Sequence, residues 1–322
     1  MGPHEQVLRF SSYRQSAPET VAQEQESADA ALLGSSLAVT QLRSQIRRVA
    51  PYFRSLSLTG EPGSGEESVA RELHRVCPQH ELGFTVLHAA EAELRFASGS
   101  DPVRRRDGLL YLPEAERLSR AAQEGLLRMM RQQMAQSTRV VAFVGRGLKP
   151  YISAGFFLPE LAGCLASLRM ALPPLRERGA DLPTLIQHRL QRRRMEQAEV
   201  GIRMRPLYVS ETFLEAASRA EWPGNLYQLN DVVDWLLEHR AGTTLDADDL
   251  NAALEAGTPV SSSQPAKPRL VRLDMIVQEH IRTVLVACNG NKLKAAEVLG
   301  ISRSTLYRML DAAEPGSLLL AG

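Results

Sequence analysis

After a polar stretch over residues 1–30, apolar positions begin to recur in register. Leu42, Ile46 and Val49 fall on one helical face. Ser55-Leu-Ser-Leu-Thr59 then alternates, which predicts a strand, and runs into a glycine-rich turn, Gly60-Glu-Pro-Gly-Ser-Gly65. Residues 67–76 read as a helix, so the order is strand, glycine loop, helix. Short apolar runs predict strands at residues 84–87, 109–112 and 140–144, with a helix over residues 120–134. Strands alternating with helices predict a mostly parallel sheet covered on both faces. After about Pro173 the strand pattern stops. Helices are expected over residues 181–196, 210–220, 225–240 and 246–255, the third launched by the turn Trp222-Pro-Gly-Asn225. Residues 257–270 contain Pro259, Pro265, Pro268 and a serine triplet, and read as a linker.

The remaining stretch has a pattern of its own. Leu273, Ile276, Val277, Ile281, Val284, Leu285 and Cys288 share one face of a helix that Asn289-Gly290-Asn291 breaks. Two shorter helices follow, over residues 292–299 and 302–310, around Gly300. Ala296 permits a close helix crossing, and Gly300 can supply the positive φ of a tight turn. Leu299, Ile301, Leu306 and Met309 are expected to fill the space between the helices.

Charge changes the picture here. From Lys267 to Leu310 there are eight Lys and Arg against three acids, so this segment carries +5 while the rest of the +1 chain carries −4. A basic module on a mildly acidic body predicts an anionic partner for the module alone. Arg303 and Arg308 can grip guanine edges with paired hydrogen bonds, and Ser302, Ser304, Thr305 and Tyr307 carry hydroxyls on the same helix. Asn291, Lys292 and Lys294 stand where backbone N–H groups at a helix start attract phosphate. These nine residues are the predicted contacts to double-stranded DNA. The competing reading is a small helical dimerisation module with a solvated charged face.

Composition narrows the rest. Apolar residues make up 44% and charged residues 23%, a balance that fits a globular protein. No run reaches about 18 apolar residues, and no apolar signal core opens the chain, so a cytoplasmic protein with no membrane partner is expected. Cys77, Cys164 and Cys288 show neither metal-ligand spacing nor a disulfide framework, and read as small buried apolar residues with no metal site.

The stretch Gly290-Asn-Lys-Leu-Lys-Ala-Ala-Glu-Val-Leu-Gly-Ile-Ser-Arg-Ser-Thr-Leu-Tyr-Arg308 resembles the Fis-type helix-turn-helix that ends sigma-54-dependent activators. That resemblance implies a homodimer on a two-fold DNA site, with the last helix in the major groove. From about Leu32 onward the chain resembles the AAA+ domain of nitrogen-regulator-type sigma-54 activators. Leu33-Gly-Ser-Ser36, Val69-Ala-Arg-Glu-Leu-His74, Leu172-Pro-Pro-Leu-Arg-Glu-Arg178 with Asp181-Leu-Pro183, and Trp222-Pro-Gly-Asn225 carry the likeness. The implied fold is α/β: an AAA+-like P-loop parallel sheet domain with a helical lid, then an all-α Fis-type helix-turn-helix domain. The expected division is a tail at 1–30, an α/β subdomain at 31–173, a lid at 174–256, a linker at 257–270, the DNA-binding domain at 271–312 and a tail at 313–322.

Against that likeness, the positions tied to catalysis depart. The loop keeps the G-x-x-x-x-G spacing, but Glu66 and Glu67 stand where such loops continue with Lys and Ser or Thr, the second of these being common in the resembled family. Two unit charges about 4 Å apart interact by about 4 kcal/mol at an effective dielectric of 20, so reversing the first sign swings roughly 8 kcal/mol before relaxation. Pro113 replaces the magnesium-binding Asp beside a retained Glu114, Gly145 the sensor Asn, Leu158 and Cys164 two arginines, and Tyr227 a second sensor Arg. Between Phe84 and Asp107 the sigma-contacting Gly-Ala-Phe-Thr-Gly-Ala motif is missing.

Gly60, Gly63, Gly65, Glu66, Glu67, Pro113 and Glu114 are therefore read as a vestigial nucleotide loop. The expectation is a regulator with no catalytic residues and no ATPase activity. It has no cofactor, with ATP and magnesium binding disfavoured, and acts without sigma-54 remodelling, with RNA polymerase or another regulator as a further partner. Two alternatives accompany it. One is a sensor whose old cleft takes a nucleotide or cyclic dinucleotide, with Arg104-Arg-Arg106 supplying charge. The other is an anti-activator that co-assembles with an intact activator. No receiver pattern precedes Ala31, so control is expected from expression level, a ligand or a partner. An active ATPase would instead show magnesium-dependent turnover.

Overall fold

A computed structural model of the protein describes residues 32–97, 107–132, 138–199, 201, 207–240, 242–256 and 273–311. The N-terminal tail, Arg104-Arg-Arg106, the linker and the C-terminal tail lie outside the described residues.

Ser36 opens the first helix, α1 (Leu37–Val49), by accepting the Val39 N–H at its hydroxyl, and Val39, Leu42 and Ile46 form its buried face. Strand β1 (Ser55–Thr59) leads through the glycine loop to α2 (Glu66–Val76). Then follow β2 (Gly83–Val86), α3 (Ala89–Ala97), β3 (Asp107–Leu112), a single turn at Ala115–Arg117, α4 (Arg120–Gln132) and β4 (Arg139–Phe143). Two short helices, α5 (Lys149–Ser153) and α6 (Pro159–Leu165), precede β5 (Arg169–Ala171). The five strands form one sheet in the order β2-β3-β4-β1-β5, and every pairing is parallel. One apolar cluster, around Leu110, Leu126, Phe157 and Leu161, covers one face; another, around Ile46, Leu58, Leu73 and Tyr111, covers the other. A parallel sheet buried on both sides explains why β4 is buried at all five positions.

A kinked segment, Leu175–Asp181, interrupted at Arg178, leads into α7 (Leu182–Glu199). Strand β6 (Tyr208–Val209), α8 (Glu211–Arg219), α9 (Asn225–His239), β7 (Thr244–Leu245) and α10 (Ala247–Glu255) complete the second body, whose core centres on Ile186, Phe213, Trp222 and Val232. Asp246 and Asp249 form a reciprocal capping box at the start of α10.

Two expectations need correction. β5 was not foreseen, and strands do not stop at Pro173, because β6 and β7 pair in parallel. In β5 only Met170 is buried between exposed Arg169 and Ala171, and β6 and β7 are two residues each, so neither writes an alternation long enough to read. Strand β1 already supplies a partner edge for β5, which lets three residues suffice.

The last three helices are α11 (Leu273–Ala287), α12 (Lys292–Val298) and α13 (Arg303–Asp311). Ile281, Val284, Leu285, Ala295, Ala296 and Leu306 form their core, with Leu299, Ile301 and Met309 packed against it. Gly300 adopts φ +65° in the turn, as its place between two helices demands. Val277 departs from the expected buried stripe and is exposed. Cys77 is buried as expected, whereas Cys164 and Cys288 are only half-buried. This three-helix unit rests on the α/β body. Phe156 joins its core, and Arg282 donates to the carbonyl of Glu116 while its guanidinium lies 5.4 Å from the Phe156 ring centroid.

Candidate functional site

The glycine loop sits at the C-terminal end of β1, where open parallel sheets present ligand sites. Backbone strain shapes it: Gly63 has φ +78°, and a Cβ there would stand 2.7 Å from the Tyr227 ring and 2.8 Å from the Gly224 carbonyl. Only glycine lets the lid approach this closely. Glu66, the residue in the lysine position, does not project outward. Its side chain is buried, and its Oε1 accepts from Gly63 N at 3.2 Å and its Oε2 from Gly65 N at 3.1 Å. The Tyr227 hydroxyl donates to Oε1 at 3.0 Å. Burial, then the nearby Glu66, push the Tyr227 phenol well above its ordinary range, so this hydroxyl keeps its proton and stays a donor. The Tyr111 phenol is raised in the same way and lies buried without a hydrogen-bond partner among the described residues.

The other predicted loop residues take separate roles. Glu67 pairs with Arg71 at 2.8 Å on the outer face of α2. Glu114 pairs with Arg117 at 2.6 Å, just after half-buried Pro113. Gly60 meets the Leu172 backbone, and its N–H donates to the carbonyl of Gly145 at 3.0 Å.

Lid and loop are stitched together by residues of the motifs at 172–178, 181–183 and 222–225, whose roles the sequence alone does not reveal. Asn225, buried with φ +50°, accepts from Leu175 N at 2.7 Å and donates to Glu61 Oε2 and the Pro62 carbonyl, each at 3.2 Å. Arg176 grips the same Glu61 carboxylate at 2.8 and 2.9 Å. The Arg176 hydrogen bond, then that of Asn225, hold the Glu61 carboxyl below its usual range. The Leu226 N–H donates to Gly63 O at 2.9 Å. Behind the loop, Asp181 accepts from Ser35 N (2.6 Å), Ser36 N (2.7 Å), Ser36 Oγ (2.7 Å) and Arg178 Nε (3.2 Å), while Arg178 also donates to Leu33 O at 2.9 Å. A buried carboxylate with four donors is a structural clamp joining chain entry, loop and lid. Each of these interactions is set by a fold contact 50 or more residues away or by a kink, so no local pattern announces it.

Two cavities flank the loop. One of about 150 Å³ lies beside Gly65 between Leu32, Leu33 and the lid residues Leu185, Leu226 and Leu229. The other, about 690 Å³, opens at the ends of β1, β4 and β5, lined among others by Glu61, Arg146, Lys149, Arg169 and Arg176.

The predicted DNA contacts gather on α12 and α13. Asn291 caps α12, its Oδ1 accepting from Leu293 N and Lys294 N at 3.1 Å. Ser302 caps α13 by accepting from Thr305 N at 3.1 Å, with the hydroxyls of Ser304 and Thr305 each 2.8 Å away. Lys292 Nζ stands 4.9 Å from the Tyr307 ring centroid. Lys294, Arg303, Tyr307 and Arg308 are exposed, and Thr305 is half-buried.

A parallel α/β domain with a glycine loop at its strand ends, closed by a helical lid and followed by a helix-turn-helix, defines a P-loop NTPase-like regulator. Three family matches cover the same bodies: Sigma-54 interaction domain over residues 33–175, AAA+ ATPase lid domain over 176–267, and Bacterial regulatory protein, Fis family, over 273–312. These three matched domains are those of sigma-54-type, DNA-binding transcriptional regulators. It is 29% identical over 312 residues to the transcriptional regulatory protein ZraR of Klebsiella oxytoca, covering 87% of this chain and 68% of that protein. It is also 29% identical over 330 residues to the DNA-binding transcriptional regulator NtrC of Escherichia coli, covering 87% and 69%. Crystal structures of NtrX from Brucella abortus match with TM-score 0.61 in complex with ADP, at 26% identity over 91% of this chain and 72% of that one. In complex with ATP the TM-score is 0.59, at 25% identity over 91% and 73%.

These relatives correct two expectations. The chain was read as a non-enzyme, and as taking no cofactor with ATP and magnesium disfavoured. Its lid matches an AAA+ ATPase lid, and NtrX, of the same architecture, has been solved with ADP and with ATP. The charge of Glu66 is only one part of the cradle. Loop amides and the α2 N-terminus are themselves anion donors. Here two of them already hold a carboxylate, so anionic oxygens fit the loop. Among the described residues, no helix is long and apolar enough to cross a membrane.

Proposed function

We propose that this chain is a cytoplasmic, homodimeric regulator that reads double-stranded DNA with α12 and α13 and takes an adenine nucleotide between the glycine loop and the lid. It acts by occupying DNA and engaging RNA polymerase or another regulator, without the sigma-54 remodelling step, because the Gly-Ala-Phe-Thr-Gly-Ala motif is missing from its sequence. We use 31–173, 174–256 and 271–312 as its working domains.

The observation that carries the DNA reading is the exposure of Lys294, Arg303 and Arg308, none of which has an ion-pair partner among the described residues. Arg303 and Arg308 reach base edges, Lys292, Lys294, Ser304 and Tyr307 touch the backbone, and Asn291, Ser302 and Thr305 hold the two helix starts in shape. The slot beside Leu33, with Gly65 in its wall, supports the nucleotide reading.

The test maps bound DNA across the genome for the wild type and Arg303→Ala. A shared two-fold sequence, relaxed in the variant, is the expected result, together with unchanged transcriptional effects in cells lacking sigma-54. Absence of enriched sites for the wild type contradicts the DNA reading. Effects that vanish without sigma-54 contradict the proposed mode of action.

A further inference from the structure

The Glu66 carboxylate occupies the donor nest of the glycine loop. It is tied to its own loop through Gly63 N and Gly65 N and to the lid through the Tyr227 hydroxyl. We propose that Glu66 is a tethered anionic plug: it fills the donor nest of the glycine loop, is latched by Tyr227 of α9, and swings out when a nucleotide's phosphates enter. This rests on the reading of the cleft as an adenine nucleotide site and adds its regulation.

The chemistry is that of competition between two anions for one set of donors. The nest amides donate to carboxylate oxygens at 3.1–3.2 Å, ordinary hydrogen-bond lengths, so nothing in the loop has to reshape to hold an anion. A phosphate cannot share those donors with Glu66, since two anions in contact repel. Entry therefore requires the carboxylate to leave, which also frees the Tyr227 hydroxyl. Tyr227 lies two residues beyond Asn225, which itself holds Glu61 and the Pro62 carbonyl. Release of the plug thus reaches the lid directly, and the lid senses whether the nest holds its own carboxylate or a ligand phosphate. The pairing of substitutions is coherent as well: an acid at the loop position is matched by a neutral donor at the lid position.

The experiment titrates the full-length chain with a fluorescent ADP, with inorganic pyrophosphate and with adenosine, using the wild type, Glu66→Gln, Glu66→Ala and Tyr227→Phe. Circular dichroism checks that each variant is folded. Loss of the plug removes a competing set of charge-assisted hydrogen bonds, so Glu66→Ala should bind ADP and pyrophosphate at least about tenfold more tightly. Glu66→Gln should fall between, and Tyr227→Phe should gain less. Adenosine, which has no phosphate, should bind all four proteins alike. Equal ADP and pyrophosphate affinity in wild type and both Glu66 variants overturns the plug while leaving the nucleotide site intact. Weaker binding in the Glu66 variants also overturns it, and shows Glu66 to be part of the cradle. Failure of ADP and adenosine to bind any of the four overturns the nucleotide reading itself. Tighter pyrophosphate in Glu66→Ala would still uphold the plug in that case.

Discussion

Replacing Asp181 by Asn tests the clamp that joins chain entry, loop and lid. The carboxylate is fully buried and accepts four hydrogen bonds, two from backbone amides at 2.6 and 2.7 Å, one from the Ser36 hydroxyl at 2.7 Å and one from Arg178 at 3.2 Å. Asparagine keeps the size but removes the charge and turns one acceptor into a donor, which then faces Ser36 or Arg178. Arg178, only 2% exposed, is left a buried cation with backbone carbonyls for company. Removing one partner of a buried ion pair costs about 3–5 kcal/mol. For a body of this size each kilocalorie moves the melting midpoint by roughly 2–4 °C, so a fall of about 6–20 °C is expected by scanning calorimetry.

The pH dependence follows from the shift at Asp181. Burial works to raise its pKa, but the Ser36 hydroxyl, the amides of Ser36 and Ser35, and Arg178 outweigh it, and the net shift is downward. A depressed carboxyl contributes stability that is present above its unfolded value of about 3.9 and is lost as pH falls through the folded value. The gap between wild type and Asp181→Asn should therefore be constant near neutrality and close below about pH 4. A loss under about 1 kcal/mol at pH 7, or a gap that widens in acid, would refute the clamp.

Three further outcomes are expected. Leu306→Ala empties the centre of the last three helices and should cost about 2–5 kcal/mol, read as loss of DNA binding with the α/β body still melting at its own temperature. Asn225→Ala orphans the buried Leu175 amide and cuts the link to Glu61, for a loss of about 1–3 kcal/mol that hydrogen exchange should show first at the loop and α9. Arg282→Ala removes the contact with the Glu116 carbonyl and should leave the three-helix unit more readily released from the body by limited proteolysis, without unfolding either part.

Much of this architecture was legible because it is written locally. The β1–loop–α2 unit announces itself by alternation, glycine spacing and a helical stripe, and the last three helices by Ala296, Gly300 and their apolar partners. What stayed hidden is written at a distance. β5 needs only Met170 buried, because β1 supplies its edge. Asp181 gains its meaning from Ser35 and Ser36, and Asn225 from Glu61 and Leu175. Glu66 shows most plainly where residue-by-residue reasoning stops. Its charge predicted repulsion of phosphate, but its carboxylate folds back onto the loop's own amides under the Tyr227 hydroxyl. Substitution by identity therefore did not settle what the cleft can bind.

The most direct measurement of the central claim is a salt titration of DNA binding by fluorescence anisotropy, with the full chain and a fragment recovered from genome mapping. The predicted result is nanomolar-range binding that weakens linearly in log salt. Lys294→Ala should lower that slope by about 1, and Arg303→Ala should lose about 1–3 kcal/mol on the cognate fragment only. No binding at low salt, or identical slopes and affinities in all three proteins, would contradict it.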